Sequence, residues 1–414
     1  MVQEKLPISS RIALLEQALL AKNAVALDTF WQEVAERGAP LIEPIEGDET
    51  HSLVTFLWQG SEDTKNVVVF AGPAGWDEPA KNQMTRLLDT NLWYRTYRVK
   101  SNLRTIYLLS PNDPLTELSY GVEFGTRIVP DPLNPHPFVY PKDEEIPDDK
   151  EAVVSILELP DAPPQPWIAP RPTVAKGHVE MYRRHSSILN NERRVYIYTP
   201  PGYSTSNTPY PLLLVFDGSA YIDLVPTPTI LDNLISEGKI PPLIAVLPDS
   251  LDQDTRNREL PCHQPFVDFL TQELLPWVHE HYSITNDPAQ TIVAGSSYGG
   301  LAAAFVGLRA SETFGNVLSQ SGSFFWDRDP EDNIPRELLS QQFIASPRLP
   351  LRLYLEVGLQ EKWSPVGMVL CNRHMRDVLQ LKGYEVHYNE FNGGHDYICW
   401  RGSLADGLMA LIGN

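Results

Sequence analysis

The chain has 414 residues, of which 53 are acidic and 33 basic, so its formal charge of −20 disfavours nucleic acid and anionic membranes as partners. Apolar residues form 42% of the sequence without a run of 18 or more, and the N-terminus lacks a signal-peptide pattern, so we expect a globular cytoplasmic protein. Its three cysteines, Cys262, Cys371 and Cys399, are far apart and indicate neither a disulfide framework nor a metal site.

The N-terminal part of the sequence predicts helices followed by a β-domain. Residues 8–37 carry apolar side chains at helical spacing between a serine and a glycine, which indicates one helix or a helical pair. From residue 50 to about 128, short β-branched and aromatic runs are separated by polar or Gly/Pro turns, as is typical of a small antiparallel β-sandwich. These runs are SLVTFLWQG, NVVVFAG, LWYRTYRVK, RTIYLLS and LSYGVEF. We therefore predict an N-terminal domain over residues 1–150.

Proline and acidic residues crowd the next stretch, from about 129 to 174. Proline opposes both helices and central strands. The stretch is also rich in aromatic and apolar residues, so we expect it to lie along a surface. Residues 151–175 are predicted to be a Pro-rich linker.

Residues 176–414 alternate between strand-like and helix-like segments, which predicts a single α/β domain. Strand runs such as PLLLVF and PLIAVL are continuously apolar, so we expect a mostly parallel sheet that is covered on both faces. The fold class is therefore α/β, preceded by the helical segment and the small antiparallel β-sandwich.

A serine between glycines marks the junction of one strand and one helix, in TIVAGSSYGGLAAAF. Gly295, Ser297 and Gly299 form a G-x-S-x-G pattern with strand-like residues before it and helix-like residues after it. A turn tight enough to expose a serine hydroxyl needs glycines where side chains would collide. The pattern predicts that Ser297 is a nucleophile. Ser296 is the adjacent alternative, but strand alternation points it elsewhere.

A serine nucleophile requires a base, which follows the serine late in the chain of hydrolases built on this turn. His395 lies in FNGGHDY, directly after the last predicted strand, at the sheet edge where catalytic groups gather. His374 lies in a helix-like segment and His387 inside a strand. The sequence therefore favours His395 as the base.

The acid that orients the histidine is expected on a loop at the end of the preceding strand. Glu361 in GLQEKW meets this condition, whereas Glu356 lies within the strand and Asp396 is adjacent to the histidine itself. We predict Glu361 as the acid, and the alternative interpretation is a solvated loop glutamate.

The oxyanion of an acyl-transfer intermediate needs backbone N–H donors. Tyr298 follows the nucleophile and supplies one donor, and Gly218 or Ser219 in FDGSAY supplies the other. Two arginines, Arg256 and Arg258, lie on a predicted loop at the same end of the sheet. They are candidate contacts for an anionic substrate, with solvent exposure as the alternative interpretation.

Six stretches, in this order and at these intervals, resemble the esterase D-like branch of the α/β hydrolases: LLLVFDGSAY, DSLDQDTRNREL, TIVAGSSYGGLAAAF, VLSQSGSFFW, LEVGLQEKW and FNGGHDY. With the N-terminal β-domain and the DPLNPHPF connection, the whole chain resembles the enterochelin (ferric enterobactin) esterases. The resemblance implies a cytoplasmic enzyme that cleaves the tri-serine lactone of an iron-loaded catecholate siderophore to dihydroxybenzoyl-serine products, so that iron can be released.

The resemblance places the nucleophile on Ser297 and the base on His395. The acid transfers least well, because members of this branch differ in whether a carboxylate completes the triad. The N-terminal domain is implied to form part of the substrate cleft through Trp76 or Trp93, which are otherwise core residues.

The substrate implied by the resemblance is a ferric tris-catecholate trianion, which gives Arg256 and Arg258 an anionic partner. Iron arrives as part of this substrate, and we expect neither an organic cofactor nor a protein metal site. The sequence makes no prediction of oligomeric state. Two alternatives stay open: a feruloyl or acetyl-xylan esterase whose β-domain binds carbohydrate, and a non-catalytic siderophore-binding protein.

Overall fold

The structure is a computed structural model that describes residues 8–116, 118, 126–206, 208–327, 337–362 and 367–413. Its contacts divide the chain into two compact units. Unit 1 comprises Met1–Pro163 and Asn392–Asp396, and unit 2 comprises Pro164–Phe391 and Tyr397–Asn414. None of the helices formed by the described residues is both long and apolar enough to cross a membrane.

Unit 1 begins with a helical pair, α1 (Ser10–Leu20) and α2 (Ala26–Arg37). Ser9 caps α1, because its side chain accepts a hydrogen bond from the Ile12 N–H, and Gly38 ends α2 with a φ of 82°. Apolar side chains of both helices pack with strand residues in one buried cluster. The prediction of helices in this region is confirmed, in its two-helix form.

The rest of unit 1 consists of two four-stranded antiparallel sheets, which we call the sandwich. The first has the order β1-β2-β5-β4 and the second the order β3-β6-β8-β7. The strands are β1 (Leu41–Ile45), β2 (Asp48–Gln59), β3 (Val67–Phe70), β4 (Thr85–Arg86), β5 (Leu92–Lys100), β6 (Arg104–Pro111), β7 (Pro137–Tyr140) and β8 (Ala152–Glu158). Short 3-10 turns occupy Gly72–Ala74 and Pro79–Asn82.

Side chains from both sheets form one core, in which Phe56 of β2 and Tyr107 of β6 are in edge contact at 4.7 Å between ring centroids. This arrangement confirms the predicted antiparallel β-sandwich. The predicted run LSYGVEF falls almost entirely outside the described residues.

The predicted linker over 151–175 is wrong at its start, because Ala152–Glu158 is a strand with neighbours on both sides. Val154 and Leu157 of this strand are buried, each about 1% exposed. The prolines of this stretch lie outside β8. One of them, Pro137, begins the edge strand β7, a position that tolerates proline. Composition averaged over the whole stretch hid the short apolar run AVVSIL.

Unit 2 contains an eight-stranded sheet of order β16-β15-β14-β13-β11-β12-β10-β9. Pairing is parallel from β12 through β16, and β10 joins antiparallel to both β12 and β9. The strands are β9 (His178–Ser186), β10 (Asn191–Thr199), β11 (Leu212–Val215), β12 (Ile244–Pro248), β13 (Thr291–Ser296), β14 (Asn316–Gln320), β15 (Arg352–Gly358) and β16 (Glu385–Phe391).

Helices cover both faces of this sheet. They are α3 (Gly218–Asp223), α4 (Thr227–Ser236), α5 (Gln253–Glu259), α6 (Gln264–Asp268), α7 (Leu275–His281), α8 (Tyr298–Arg309), α9 (Leu338–Ala345), α10 (Met368–Leu381) and α11 (Tyr397–Ile412), with a π-helical turn at Phe269–Leu274 and a 3-10 turn at Pro288–Gln290.

Alternate residues of the central strands enter two separate apolar clusters. In β11, Leu212 and Leu214 pack with α8 and α10, whereas Leu213 and Val215 pack with α4 and α11. Both faces of β11 are therefore dry, which explains its continuous apolar sequence. The predicted α/β fold with a mostly parallel sheet is confirmed.

Leu213→Ala is expected to destabilise the protein by about 2–5 kcal/mol, because Leu213 is completely buried in the centre of the sheet. Urea unfolding followed by circular dichroism measures the change. The control is Leu381→Ala, at a side chain that is 89% exposed. A loss of stability in this control as large as that of Leu213→Ala would contradict the burial of both faces of the sheet.

Candidate active site

Ser297 occupies the turn between β13 and α8, within a segment 295–299 that we call the nucleophile elbow. Its φ of 58° and ψ of −121° are unusual for a residue with a side chain. Gly295 is required because a Cβ there would lie 2.6 Å from the carbonyl carbon of Gly299. The chain therefore passes from strand to helix in one residue, as the sequence pattern requires.

The two adjacent serines differ in accessibility. Ser296 is completely buried, whereas Ser297 is half-buried, and its hydroxyl lies 3.4 Å from the hydroxyl of Ser323. Only Ser297 has a hydroxyl that a substrate can reach, so the structure gives the alternative nucleophile no access.

Backbone bonds tie the elbow to the end of the neighbouring strand β14. The Ser297 N–H donates to the Gln320 carbonyl at 2.9 Å, and the Ser297 carbonyl accepts from the N–H groups of Leu301 and Ser323 at 3.0 and 3.1 Å. These bonds fix the serine in its unusual conformation.

The loop after β11 supplies the candidate oxyanion donors. Asp217 has a φ of 58°, and Gly218 begins α3 so close to β12 that a Cβ would lie 2.4 Å from the Leu247 carbonyl oxygen. The Ser219 N–H donates to a carboxylate oxygen of Asp249 at 3.2 Å, and its hydroxyl donates to the same oxygen at 2.8 Å. Because the Ser219 N–H already donates to Asp249, the N–H of Gly218 is the better candidate for the second oxyanion donor, in addition to that of Tyr298.

Arg256 was predicted to lie on a loop, but it lies on the short helix α5. Its charge is paired with a carboxylate inside the protein. Its Nε and Nη2 donate to the two carboxylate oxygens of Asp217, each at 2.8 Å, and Nη2 also donates to the Ser296 carbonyl at 3.4 Å. The guanidinium lies 5.9 Å from the centre of the Tyr298 ring. Arg256 thus connects the loop after β11 to the nucleophile elbow, a contact that the prediction of substrate binding did not include.

Arg258 also lies on helix α5 and not on the predicted loop, but its side chain is 61% exposed. It donates to the Thr255 hydroxyl at 3.2 Å and lies 3.7 Å from Glu259. Of the two predicted substrate contacts, Arg258 is the one whose guanidinium is mainly in solvent.

Sequence reasoning missed Asp217 and Asp249, which follow the apolar strands β11 and β12. Each is almost fully buried and accepts from an arginine, Asp217 from Arg256 and Asp249 from Arg194. An acidic residue directly after a buried strand, at the same sheet end as the predicted arginines, was the available signal.

Glu361 is completely buried on the turn after β15, so the interpretation as a solvated loop glutamate is wrong. One of its carboxylate oxygens accepts from the Ser321 hydroxyl at 2.6 Å and from the Gly358 N–H at 2.7 Å. Trp400 also donates to the Ser321 hydroxyl, at 3.1 Å. The segment 320–323 therefore contacts the nucleophile elbow through its backbone and Glu361 through a side chain.

Glu356 belongs to a separate buried network inside the sheet. It accepts from Gln320 at 3.1 Å, from Tyr354 at 3.1 Å and from the Ser403 hydroxyl, and burial raises its pKa to about 7. These contacts give Glu356 a structural role within the strands, consistent with the choice of Glu361 as the candidate acid.

His395 is half-buried in residues 392–396, the histidine segment, which follows β16 in sequence and belongs to unit 1. The other two candidates contact carboxylates instead: His374 of α10 lies beside Glu337, and His387 of β16 lies 3.4 Å from Glu385. The remaining candidate residues all belong to unit 2. They are Ser297, Tyr298, Gly218, Ser219, Arg256, Arg258 and Glu361.

The two tryptophans of unit 1 that were considered as substrate contacts also differ. Trp93 is 9% exposed and packs in the core of the sandwich, so it is a core residue. Trp76 is half-buried, between the two 3-10 turns.

Among the residues that the structure describes, no group of three or more His, Cys, Asp or Glu side chains is arranged to hold a metal ion.

Comparisons with known proteins find similarity in both units. The family model described as "Putative esterase" matches residues 186–411, and the model described as enterochelin esterase, N-terminal, matches residues 53–168. The iron(III) enterobactin esterase of Dickeya dadantii is 30% identical, over 95% of this chain and 95% of that protein.

Solved structures agree with this similarity. The ferric enterobactin esterase of Salmonella typhimurium is 29% identical, with a TM-score of 0.75 over 93% of this chain and 98% of that one. The enterobactin esterase of Shigella flexneri, determined in the presence of enterobactin, is 29% identical, with a TM-score of 0.72 over 92% of this chain and 97% of that one.

Glu356→Gln is expected to change how stability depends on pH. The folded-state pKa of about 7 lies above the ordinary 4.5, so the stabilisation by the bound proton is complete below about pH 4.5 and is lost as the pH rises through 7. The difference corresponds to about 3 kcal/mol. Urea unfolding at pH 5 and pH 8 should show a steeper loss of stability for the natural chain than for the variant.

The matched control is Glu280→Gln, at an exposed glutamate on α7. It should lose stability between pH 5 and pH 8 as the natural chain does. Equal pH dependence in Glu356→Gln and the natural chain would contradict the raised pKa of Glu356.

Proposed function

The chain belongs to the iron(III) enterobactin esterase family, and from this membership we propose that it is a serine esterase that hydrolyses the tri-serine lactone of enterobactin. The observation that carries the proposal is similarity through both units, including the N-terminal domain characteristic of enterochelin esterases. The match to the N-terminal model extends the similarity beyond the hydrolase unit.

We propose the following roles for the candidate residues. The Ser297 hydroxyl attacks an ester carbonyl of the lactone while His395 accepts its proton. The N–H groups of Tyr298 and Gly218 bind the oxyanion of the tetrahedral intermediate. Its collapse breaks the ester C–O bond, the proton of His395 passes to the departing serine oxygen to form a hydroxyl, and an acyl-enzyme remains on Ser297, which water, activated by His395, then hydrolyses.

Glu361 is proposed to orient His395 and to stabilise the imidazolium that forms during the reaction. Its burial supports this role, because a carboxylate held by Ser321 and Gly358 keeps a fixed position. A fixed carboxylate costs no reorganisation at the moment of proton transfer.

The iron-loaded substrate is a trianion, and Arg258 is the candidate that attracts it, since Arg256 is already paired with Asp217. A chain of formal charge −20 repels a trianion on average, so binding of the ferric complex requires local positive groups at the site. Acceptance of the ferric form, action in the cytoplasm and a role in iron release are parts of this proposal.

Ser297→Ala is expected to lower kcat for enterobactin by at least several hundredfold, because the variant removes the attacking hydroxyl. Chromatography of reactions with ferric and iron-free enterobactin measures the appearance of dihydroxybenzoyl-serine. The matched control is Ser296→Ala, at the buried neighbour, which should retain activity within about tenfold because its hydroxyl does not reach solvent.

A feruloylated sugar assayed beside enterobactin separates the proposal from its alternative. Release of ferulate without cleavage of enterobactin would keep the esterase chemistry and discard the siderophore. Binding of enterobactin without cleavage would indicate the non-catalytic alternative.

A further inference from the structure

We infer that the sandwich positions the catalytic base: the turn between β5 and β6 and the first residues of β6 hold the histidine segment in place. The inference rests on the proposed role of His395. It gives the N-terminal domain a task in catalysis that is separate from any contact with substrate.

The two edges of β6 explain why there is room for the histidine segment. Residues Arg104–Tyr107 pair with β8 along one edge. On the other edge β3 pairs only with Leu108–Pro111, and the chain turns away after Phe70 at Ala71, which has a φ of 62°. The first half of β6 therefore has one edge that β3 does not cover.

The histidine segment occupies this edge. Gly393 forms an isolated parallel bridge with Arg104, and the Arg104 N–H donates to the Asn392 carbonyl at 3.1 Å. The Asn392 side-chain amide also donates to the Asn102 side-chain oxygen at 2.9 Å. The segment is thus joined to the sandwich by backbone and side-chain bonds two or three residues before His395.

Arg104 is itself held firmly. Its side chain is 9% exposed and donates from Nε to Glu158 of β8 at 2.9 Å and from Nη2 to the Pro163 carbonyl at 2.7 Å. The N–H group that holds the histidine segment therefore belongs to a residue fixed in the second sheet of the sandwich.

Gly394, immediately before His395, packs against β6. A Cβ at this position would lie 2.8 Å from the Thr105 hydroxyl oxygen and 2.9 Å from a carboxylate oxygen of Asp396. Thr105 is 1% exposed, and its methyl group lies 3.1 Å from the Cβ position of Gly72, so it has little space to move. The absence of a side chain at Gly394 sets the distance between the histidine segment and β6.

This arrangement predicts an effect on the chemical step. A general base must lie within hydrogen-bond reach of the proton it accepts, and a displacement of about 1 Å costs up to about 100-fold in rate. Substrate binding does not require the same accuracy from the base. Displacement of the histidine segment should therefore lower kcat and leave KM nearly unchanged.

The test is Gly394→Ala in the full-length chain, assayed with enterobactin and with a simple p-nitrophenyl ester. We expect kcat to fall about 10- to 100-fold on both substrates, with KM within about threefold of the natural value. The matched control is Gly60→Ala, also in unit 1, where a Cβ would lie 2.7 Å from the Trp93 indole nitrogen. This control introduces a clash of similar size remote in sequence from Asn392–Asp396 and should preserve kcat.

A second variant tests the contact itself. Thr105→Ala removes the hydroxyl that a Cβ at Gly394 would meet at 2.8 Å, and leaves only the carboxylate of Asp396, within the histidine segment itself, closer than 3 Å. Gly394→Ala should therefore cost at least about threefold less in kcat when it is made in the Thr105→Ala background than when it is made alone. Melting curves of every variant identify any that fails to fold.

Unchanged kcat in Gly394→Ala, or equal loss in Gly394→Ala and Gly60→Ala, would overturn the inference while leaving the proposed function intact. A loss in Gly394→Ala that Thr105→Ala does not relieve would also overturn it, because the β6 contact would not be the cause. A natural chain inactive on both substrates would instead contradict the proposed function, and the inference with it.

Discussion

The backbone conformation of Ser297 is the constraint on which the candidate site depends. A side chain at a φ of 58° and a ψ of −121° costs about 1–3 kcal/mol, so the neighbouring structure must hold it there. The bonds to Gln320 at the end of β14 and to Ser323 just after it do so, and Arg256 of α5 does so by joining the Ser296 carbonyl to Asp217. The parallel sheet, which is buried on both faces, is the rigid structure from which these loops extend.

Buried carboxylates organise the same end of the sheet. Asp217, Asp249 and Glu361 follow three different strands, and each accepts more than one hydrogen bond from neighbouring groups. Such pairing is necessary, because an unpaired buried charge is far more costly than a paired one. The negative formal charge of the chain is therefore compatible with a site whose internal acids are individually neutralised or hydrogen-bonded.

Local signals in the sequence were sufficient for the fold class and for the nucleophile elbow. Continuous apolar runs identified the parallel strands, and glycines around Ser297 identified the turn. Contacts between distant positions were not predictable: Arg256 meets Asp217 across 39 positions, and Asn392 meets Asn102 across 290. Strand β8 was missed because prolines on either side dominated the composition of that stretch.

The most direct test of the account is to find which residue reacts with a fluorophosphonate, which labels only an activated serine. After labelling and proteolysis, tandem mass spectrometry should place the adduct on Ser297 and not on its buried neighbour Ser296 or on Ser323, whose hydroxyl is 3.4 Å away. An adduct on either of the other two serines, or no adduct in a protein that cleaves esters, would contradict the nucleophile elbow as the centre of the chemistry.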